Sequence, residues 1–237
     1  MAKRKLEIIS RFLTPAITFW LKTQLESVEN LDIKIVAGDT KILRGKIDEV
    51  SLTTSKVIYE GIHVDQANVK TEKIAVNLGG VLRGKPLKLL QPIFVEGEIS
   101  LTPDDLKTSL RSSLLAQGLV DLVVLLLEEK QIDNAESLVS KYQFSWQDIS
   151  LFANKFILNA TVINSQGEKN PLVITANLTL KDNHTLDLSP IEIEGLPDLS
   201  TIVLSDFSVD LGTDVEIEQL ILSETGLSCQ GKAKVVS

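Results

Sequence analysis

Few residues in this chain have types and spacing that could do chemistry. His63 and His184 are its two histidines and Cys229 its one cysteine. A metal site needs three or four converging ligands, and neither histidine has candidate ligands nearby in sequence. Alternation with Ile62 and Val64 places His63 on the wet side of a strand, and His184 follows Asn183 at a turn. Cys229 shares parity with Leu227 and reads as a small buried hydrophobe rather than a nucleophile. The chain has no Gly-x-Ser-x-Gly elbow, no phosphate-cradling Gly-x-x-x-x-Gly-Lys and no dinucleotide fingerprint. The acidic pairs Asp104-Asp105 and Glu128-Glu129 suit helix ends. The sequence therefore predicts a protein without a catalytic residue, a metal or a cofactor.

One motif remains. Leu43-Arg44-Gly45-Lys46 recurs as Leu82-Arg83-Gly84-Lys85, with Lys88 close behind. Each glycine permits a tight turn that brings two cations together. Guanidinium binds phosphate through a two-pronged fork, so such turns suit an anionic headgroup. The plainer reading is a basic hairpin end that keeps strands soluble. The charge distribution favours the first: residues 1–88 carry 15 Lys/Arg against 10 Asp/Glu (+5), and residues 89–237 carry 9 against 22 (−13), giving the net −8. A basic first third on an acidic chain suggests a local dock for an anionic surface, the plain alternative being two ordinary solvated faces, whereas a nucleic-acid binder would be basic as a whole.

Two helices and many strands must position these turns. From Leu6 to Leu21, Glu7, Arg11, Thr14, Thr18 and Lys22 mark a narrow polar stripe, so a helix is predicted, kinked at Pro15 and ending near Glu29-Asn30. It packs on a sheet, or it lies in a membrane interface, with Lys3, Arg4 and Lys5 near phosphates and Phe12, Phe19 and Trp20 at the apolar boundary. A second long helix opens at Thr102 as N-cap, with Pro103 at the first helical position, and carries one stripe from Leu106 and Leu110 through Leu114, Leu119, Leu122, Val123 and Leu126. Toward its end it is apolar nearly all round and must be buried or face something greasy. No apolar run is long enough to span a bilayer. Nor does a cleavage site follow Lys3-Arg4-Lys5, so the expectation is a chain made without export, cytoplasmic and peripheral at a membrane.

Period-two alternation fills most of the rest: Leu31/Ile33/Ile35, Ile74/Val76/Leu78, Val95/Gly97/Ile99/Leu101 and Leu172 through Leu180. Such strands have one buried face, as in antiparallel sheets. Residues 62–69 (Ile-His-Val-Asp-Gln-Ala-Asn-Val) parallel residues 215–222 (Val-Glu-Ile-Glu-Gln-Leu-Ile-Leu). Upstream, Val50, Leu52, Val57 and Tyr59 match Ile202, Leu204, Val209 and Leu211. In both copies apolar parity shifts after the glutamine, which predicts a β-bulge near Gln66 and Gln219. The predicted fold is α+β: one domain over residues 1–237, a curved antiparallel sheet wrapped around two long helices, in two related halves (about 1–101 and 102–237).

The order of Leu82-Arg83-Gly84-Lys85-Pro86-Leu87, the strand Val95–Leu101 and the helix start Thr102-Pro103-Asp104-Asp105-Leu106 resembles the LmeA-like phospholipid-binding family of bacteria, its cyanobacterial members above all. Ile193-Glu194-Gly195-Leu196-Pro197 through Gly226-Leu227 and Gly231 resemble the family's second half. The resemblance implies a plan similar to tubular lipid-binding proteins, with acyl chains held between helix and sheet. Actinobacterial members look exported or lipid-anchored, whereas this chain has no such signal. The expected function is non-enzymatic binding of phospholipid or another acyl lipid at an anionic membrane surface. Leu119, Leu122, Val123, Leu126, Ile74, Val76 and Leu178 would line the groove. Arg44, Lys46, Arg83, Lys85, Lys88, Phe12, Phe19 and Trp20 would meet headgroups or membrane. The alternative is an assembly factor whose groove holds a partner protein's helix.

Overall fold

The computed structural model describes residues 12–197 and 199–235. Helix α1 (Thr14–Gln24) leads into β1 (Ser27–Val36), a one-turn α2 (Asp39–Ile42), the long hairpin β2 (Lys46–Tyr59) and β3 (Ile62–Ala75), a one-turn α3 (Leu78–Val81) and β4 (Ile93–Leu101). Helices α4 (Pro103–Ser109), α5 (Ser113–Glu129) and α6 (Ala135–Val139) follow. The remainder is strand: β5 (Gln143–Phe152), β6 (Lys155–Ile163), β7 (Lys169–Asn177), β8 (Thr179–Asp182), β9 (Thr185–Asp187), β10 (Ile191–Glu194), β11 (Ile202–Leu204), β12 (Ser208–Asp210), β13 (Val215–Ser223) and β14 (Gly226–Val235).

All pairings between these strands are antiparallel. They form a six-stranded sheet in the order β1-β2-β3-β4-β14-β13, a five-stranded sheet β11-β10-β7-β6-β5 and a three-stranded sheet β12-β9-β8. The chain thus belongs to the α+β class and is dominated by antiparallel sheet. Two packed apolar clusters result. One joins α1 to the large sheet through Leu13, Ile17, Ile42, Ile47 and Ile74. The other joins α5 to the five-stranded sheet through Val123, Leu126, Leu158, Leu172 and Ile174.

The helices differ from expectation. Helix α1 ends at Gln24, because the alternating segment from Ser27 pairs with β2 instead. Pro15 lies in its first turn, where a missing N–H costs nothing. Lys3, Arg4, Lys5, Glu7 and Arg11 lie outside the described residues. The second long helix is two, α4 and α5, crossing at 82°. Thr102 and Asp105 close the capping box as the sequence suggests. Ser112 then starts a second helix, its hydroxyl accepting from the Leu115 N–H at 3.1 Å. Leu114 consequently leaves the stripe and is exposed. Among the described residues no single helix is long and apolar enough to cross a membrane, and the bent pair α4–α5 buries Leu110, Val123, Leu126 and Leu127 inside the protein.

The strands hold two surprises. A bulge occurs in β13 between Ile217 and Gln219, but β2 and β3 keep one register through Gln66. Near Gln66 the left-handed residue is Lys56 of β2 (φ 50°), and a second, Lys73 (φ 55°), turns β3 over nearer the other end of the hairpin. At the first of these Lys56 Nζ reaches the Asp65 carboxylate at 2.6 Å. The hairpin coils without inserting a residue. The two sequence copies β3 and β13 flank the central pair β4–β14 symmetrically. Their upstream matches do not, since Ile202–Leu204 joins the five-stranded sheet and Ser208–Asp210 the three-stranded one. Two further details shift: β3 stops at Ala75, leaving Val76 in an isolated bridge to Leu89 and Leu78 in α3, and Leu178 falls between β7 and β8.

Candidate functional site

Alternation in β2, β3, β4 and β14 turns Val50, Leu52, Val69, Thr71, Val95 and Val235 to one face of the large sheet. Helix α1 crosses that face with Ile17, Trp20 and Leu21, and Leu87 and Leu89 of the loop after α3 close one side. Between them lies a cavity of about 240 Å³. Its one polar side chain, Thr71, spends its hydroxyl on the Phe94 carbonyl at 2.9 Å. A wall without free donors or acceptors gives a polar ligand nothing in return for its lost hydration. It suits hydrocarbon.

The two basic turns meet at the end of the sheet beside lining residues of this groove, Ile47, Val76, Leu87 and Leu89. Gly45 and Gly84 take φ of 72° and 76°, as the tight-turn reading requires. The Val76 N–H donates to the Gly45 carbonyl at 2.8 Å, joining the first turn to the end of β3. Asn77 clasps the second: its amide donates to the Pro86 carbonyl at 3.0 Å and its side-chain oxygen accepts from the Lys88 N–H at 2.7 Å. Arg44, Lys46, Arg83, Lys85 and Lys88 are all exposed and make no salt bridge among the described residues. Elsewhere Lys41, Lys56, Lys70, Lys107, Lys232 and Lys234 are paired with carboxylates, while Lys73, Lys130, Lys155 and Lys181 make no salt bridge among the described residues. Lys70 lies 3.1 Å from both Glu72 and Glu49; this raises the lysine above its ordinary pKa and holds the Glu49 carboxyl below its own. Arg83 Nε donates to the Gly79 carbonyl at 2.7 Å. Beside these cations, Leu43, Leu82 and Leu90 are 50%, 44% and 63% exposed. The groove therefore has a rim of greasy tips among unmatched positive charges.

The structure divides the residues singled out from sequence. Ile74 and Val76 line the groove, and Trp20 lines it from α1 rather than facing outward. Phe19 is exposed at 66%, while Phe12 is half-buried. Leu119, Leu122 and Leu178 pack against the second cluster, and Val123 and Leu126 are wholly buried within it. The stripe they form is pressed onto the five-stranded sheet, so it meets protein and not a cavity. The other side of α5, with Val120, Val124 and Leu125, borders a wide open groove of about 830 Å³ whose rim includes Asp121, Glu128 and Glu136. Sequence reasoning missed Leu52, Val69, Leu87, Leu89 and Ile93. The alternation Leu87-Lys88-Leu89 was the available signal for the loop residues.

The remaining reactive side chains have structural work. His184 Nδ1 lies 2.6 Å from the Val215 carbonyl, tying the β8–β9 turn to β13. His63 is half-buried, and its backbone N–H donates to Ser109 Oγ at 2.8 Å. Cys229 is half-buried and free, and burial pushes its thiol pKa up. Among the described residues no group of three or more His, Cys, Asp or Glu side chains converges as a metal site would.

The site is an antiparallel sheet crossed by a helix, with an apolar groove between them. Residues 5–232 match the profile of the LmeA-like phospholipid-binding family, and the chain belongs to that family. No curated protein matches it.

Proposed function

We propose that this protein binds phospholipid without chemical transformation, at the surface of an anionic membrane. An acyl chain enters the groove between α1 and the large sheet, and the headgroup stays at the turns of Arg44, Lys46, Arg83, Lys85 and Lys88. The observation that carries this reading is the pairing of a polar-free groove with a rim of unmatched cations and exposed leucines. Burying hydrocarbon contributes roughly 0.8 kcal/mol per methylene, so affinity needs no polar group inside. The plan is similar to that of tubular lipid-binding proteins, and membership of a phospholipid-binding family supports the ligand class.

The test is native mass spectrometry of the full chain after incubation with phosphatidylglycerol vesicles. The expected result is a species heavier by one phospholipid. Val69→Trp, which plugs the groove from a half-exposed position, should lose that species while keeping its far-UV circular dichroism. A wild type that never retains phospholipid would overturn the proposal.

A further inference from the structure

The groove of about 830 Å³ beside α5 shares no lining residue with the one beneath α1. Its lining from α5 is two rows at a spacing of four, Ser113-Gln117-Asp121-Leu125 and Ala116-Val120-Val124-Glu128. Such rows are the ridges that a second helix packs against. Tyr142, Phe144 and Trp146 alternate in sequence and add aromatic rings, with Phe144 and Trp146 stacked at 5.7 Å. The chain has only seven Phe, two Trp and two Tyr, so three aromatics in one groove is a concentration. Trp146 has given its indole N–H to the Ala116 carbonyl at 3.2 Å. Leu125 is 43% exposed, and Val120, Val124, Tyr142 and Phe144 are half-buried, so this apolar surface is open to a visitor. An open apolar patch rimmed by polar groups is the usual form of a protein-binding surface.

The rim selects the visitor. Asp121, Glu128 and Glu136 line the groove, and no lysine or arginine does. None of the three carboxylates makes a salt bridge among the described residues. The Gln117 amide donates to Asp121 at 2.8 Å, and a neutral amide leaves that charge in place. Lys130 and Lys141, close in sequence, are exposed and line no part of the groove. Such a rim repels an anionic headgroup and draws in a cation. We propose that this groove docks an amphipathic, cationic helix of a partner protein. Its apolar stripe lies on Val120, Val124 and Phe144, and its lysines or arginines meet Asp121, Glu128 and Glu136. From Ser113 to Glu128 the α5 rows extend about 22 Å at 1.5 Å per residue, which matches a partner helix of about 15 residues.

The probe is a synthetic helix of about 15 residues, with leucine at i, i+3, i+4 and i+7 and lysine elsewhere, carrying a fluorophore and a photo-crosslinker. Its counterpart has glutamate for lysine. Fluorescence anisotropy with the full-length protein should show the lysine helix binding and the glutamate helix not. Reversing Asp121, Glu128 and Glu136 together to Lys should weaken the lysine helix by at least about tenfold and let the glutamate helix bind. The same reversal at the exposed Glu98, Glu194 and Glu224 alters net charge equally, and should change binding by less than about twofold. Leu125→Ser changes no charge and should cost about tenfold through lost apolar contact. Crosslinks should fall within residues 113–146. Should the triple variant misfold, Leu125→Ser and the crosslink map decide. No binding of the lysine helix, equal loss at both sets of carboxylates, full affinity with Leu125→Ser, or crosslinks to the groove beneath α1 would each overturn the proposal. So would a dimer in sedimentation joined through this groove, which would give the site to a second copy.

Discussion

Leu126 is wholly buried on α5, among side chains of the five-stranded sheet. Interiors are packed like organic crystals, so a larger side chain there has nowhere to go. Leu126→Trp should cost about 1–3 kcal/mol in urea unfolding and leave phospholipid retention per folded molecule unchanged. Reduced retention by a fully stable variant would return this helix to the list of lipid contacts. The two turn glycines make a sharper comparison. Both have positive φ, but a Cβ on Gly45 would lie 2.3 Å from the Val76 carbonyl oxygen, while one on Gly84 meets nothing within 4 Å. Gly84→Ala should cost only the left-handed penalty, roughly 1–2 kcal/mol. Gly45→Ala should cost more and loosen the end of β3. Equal losses in thermal unfolding would mean that the first turn moves freely. These glycines were legible from sequence because the motif repeats. The leucines beside them were not, since nothing in Leu43 or Leu82 says which way a turn residue points.

Elements were readable where burial leaves a periodic record. Strands β1 and β4 have one wet face, and their alternation marks both extent and orientation. The break between α4 and α5 was hidden because apolar residues continue through it at helical spacing. At that break the Ser112 hydroxyl caps the second helix. Ser112→Ala should destabilise the protein by about 0.5–2 kcal/mol, the usual cost of a lost N-cap. Backbone hydrogen exchange should rise first at Leu115. Uniform exchange along α5 would show that the tertiary contacts of the bend, and not the cap, hold the helix start. The neighbouring Ser109 reinforces the corner, accepting from the His63 N–H while donating to the Asp105 carbonyl at 2.6 Å. The groove itself was only half legible. Alternation identified Ile74 and Val76, but which apolar faces meet depends on pairings between β2, β3, β4 and β14. No local pattern encodes those.

On the scale of the molecule, the charge asymmetry acquires a direction. The basic turns sit together at one end of the large sheet, and the acidic stretch from residue 89 onward builds most of the rest. An anionic surface should therefore orient the protein with these turns foremost. Each Lys or Arg near such a surface contributes about 1 kcal/mol, screened beyond about 8–10 Å at physiological ionic strength. Replacing Arg44, Lys46, Arg83 and Lys85 together by Gln should abolish most flotation with phosphatidylglycerol vesicles and flatten its salt dependence. The unfolding transition should stay put, since all four side chains are exposed. Flotation equal to wild type across a salt series would remove these turns from the docking surface. The wall of the groove beneath α1 bears on what such docking can achieve. Thr71, the polar side chain of that wall, already donates to the Phe94 carbonyl, and the other lining residues are apolar. Such a wall reads shape and nothing else, so any choice between one headgroup and another has to be made outside it.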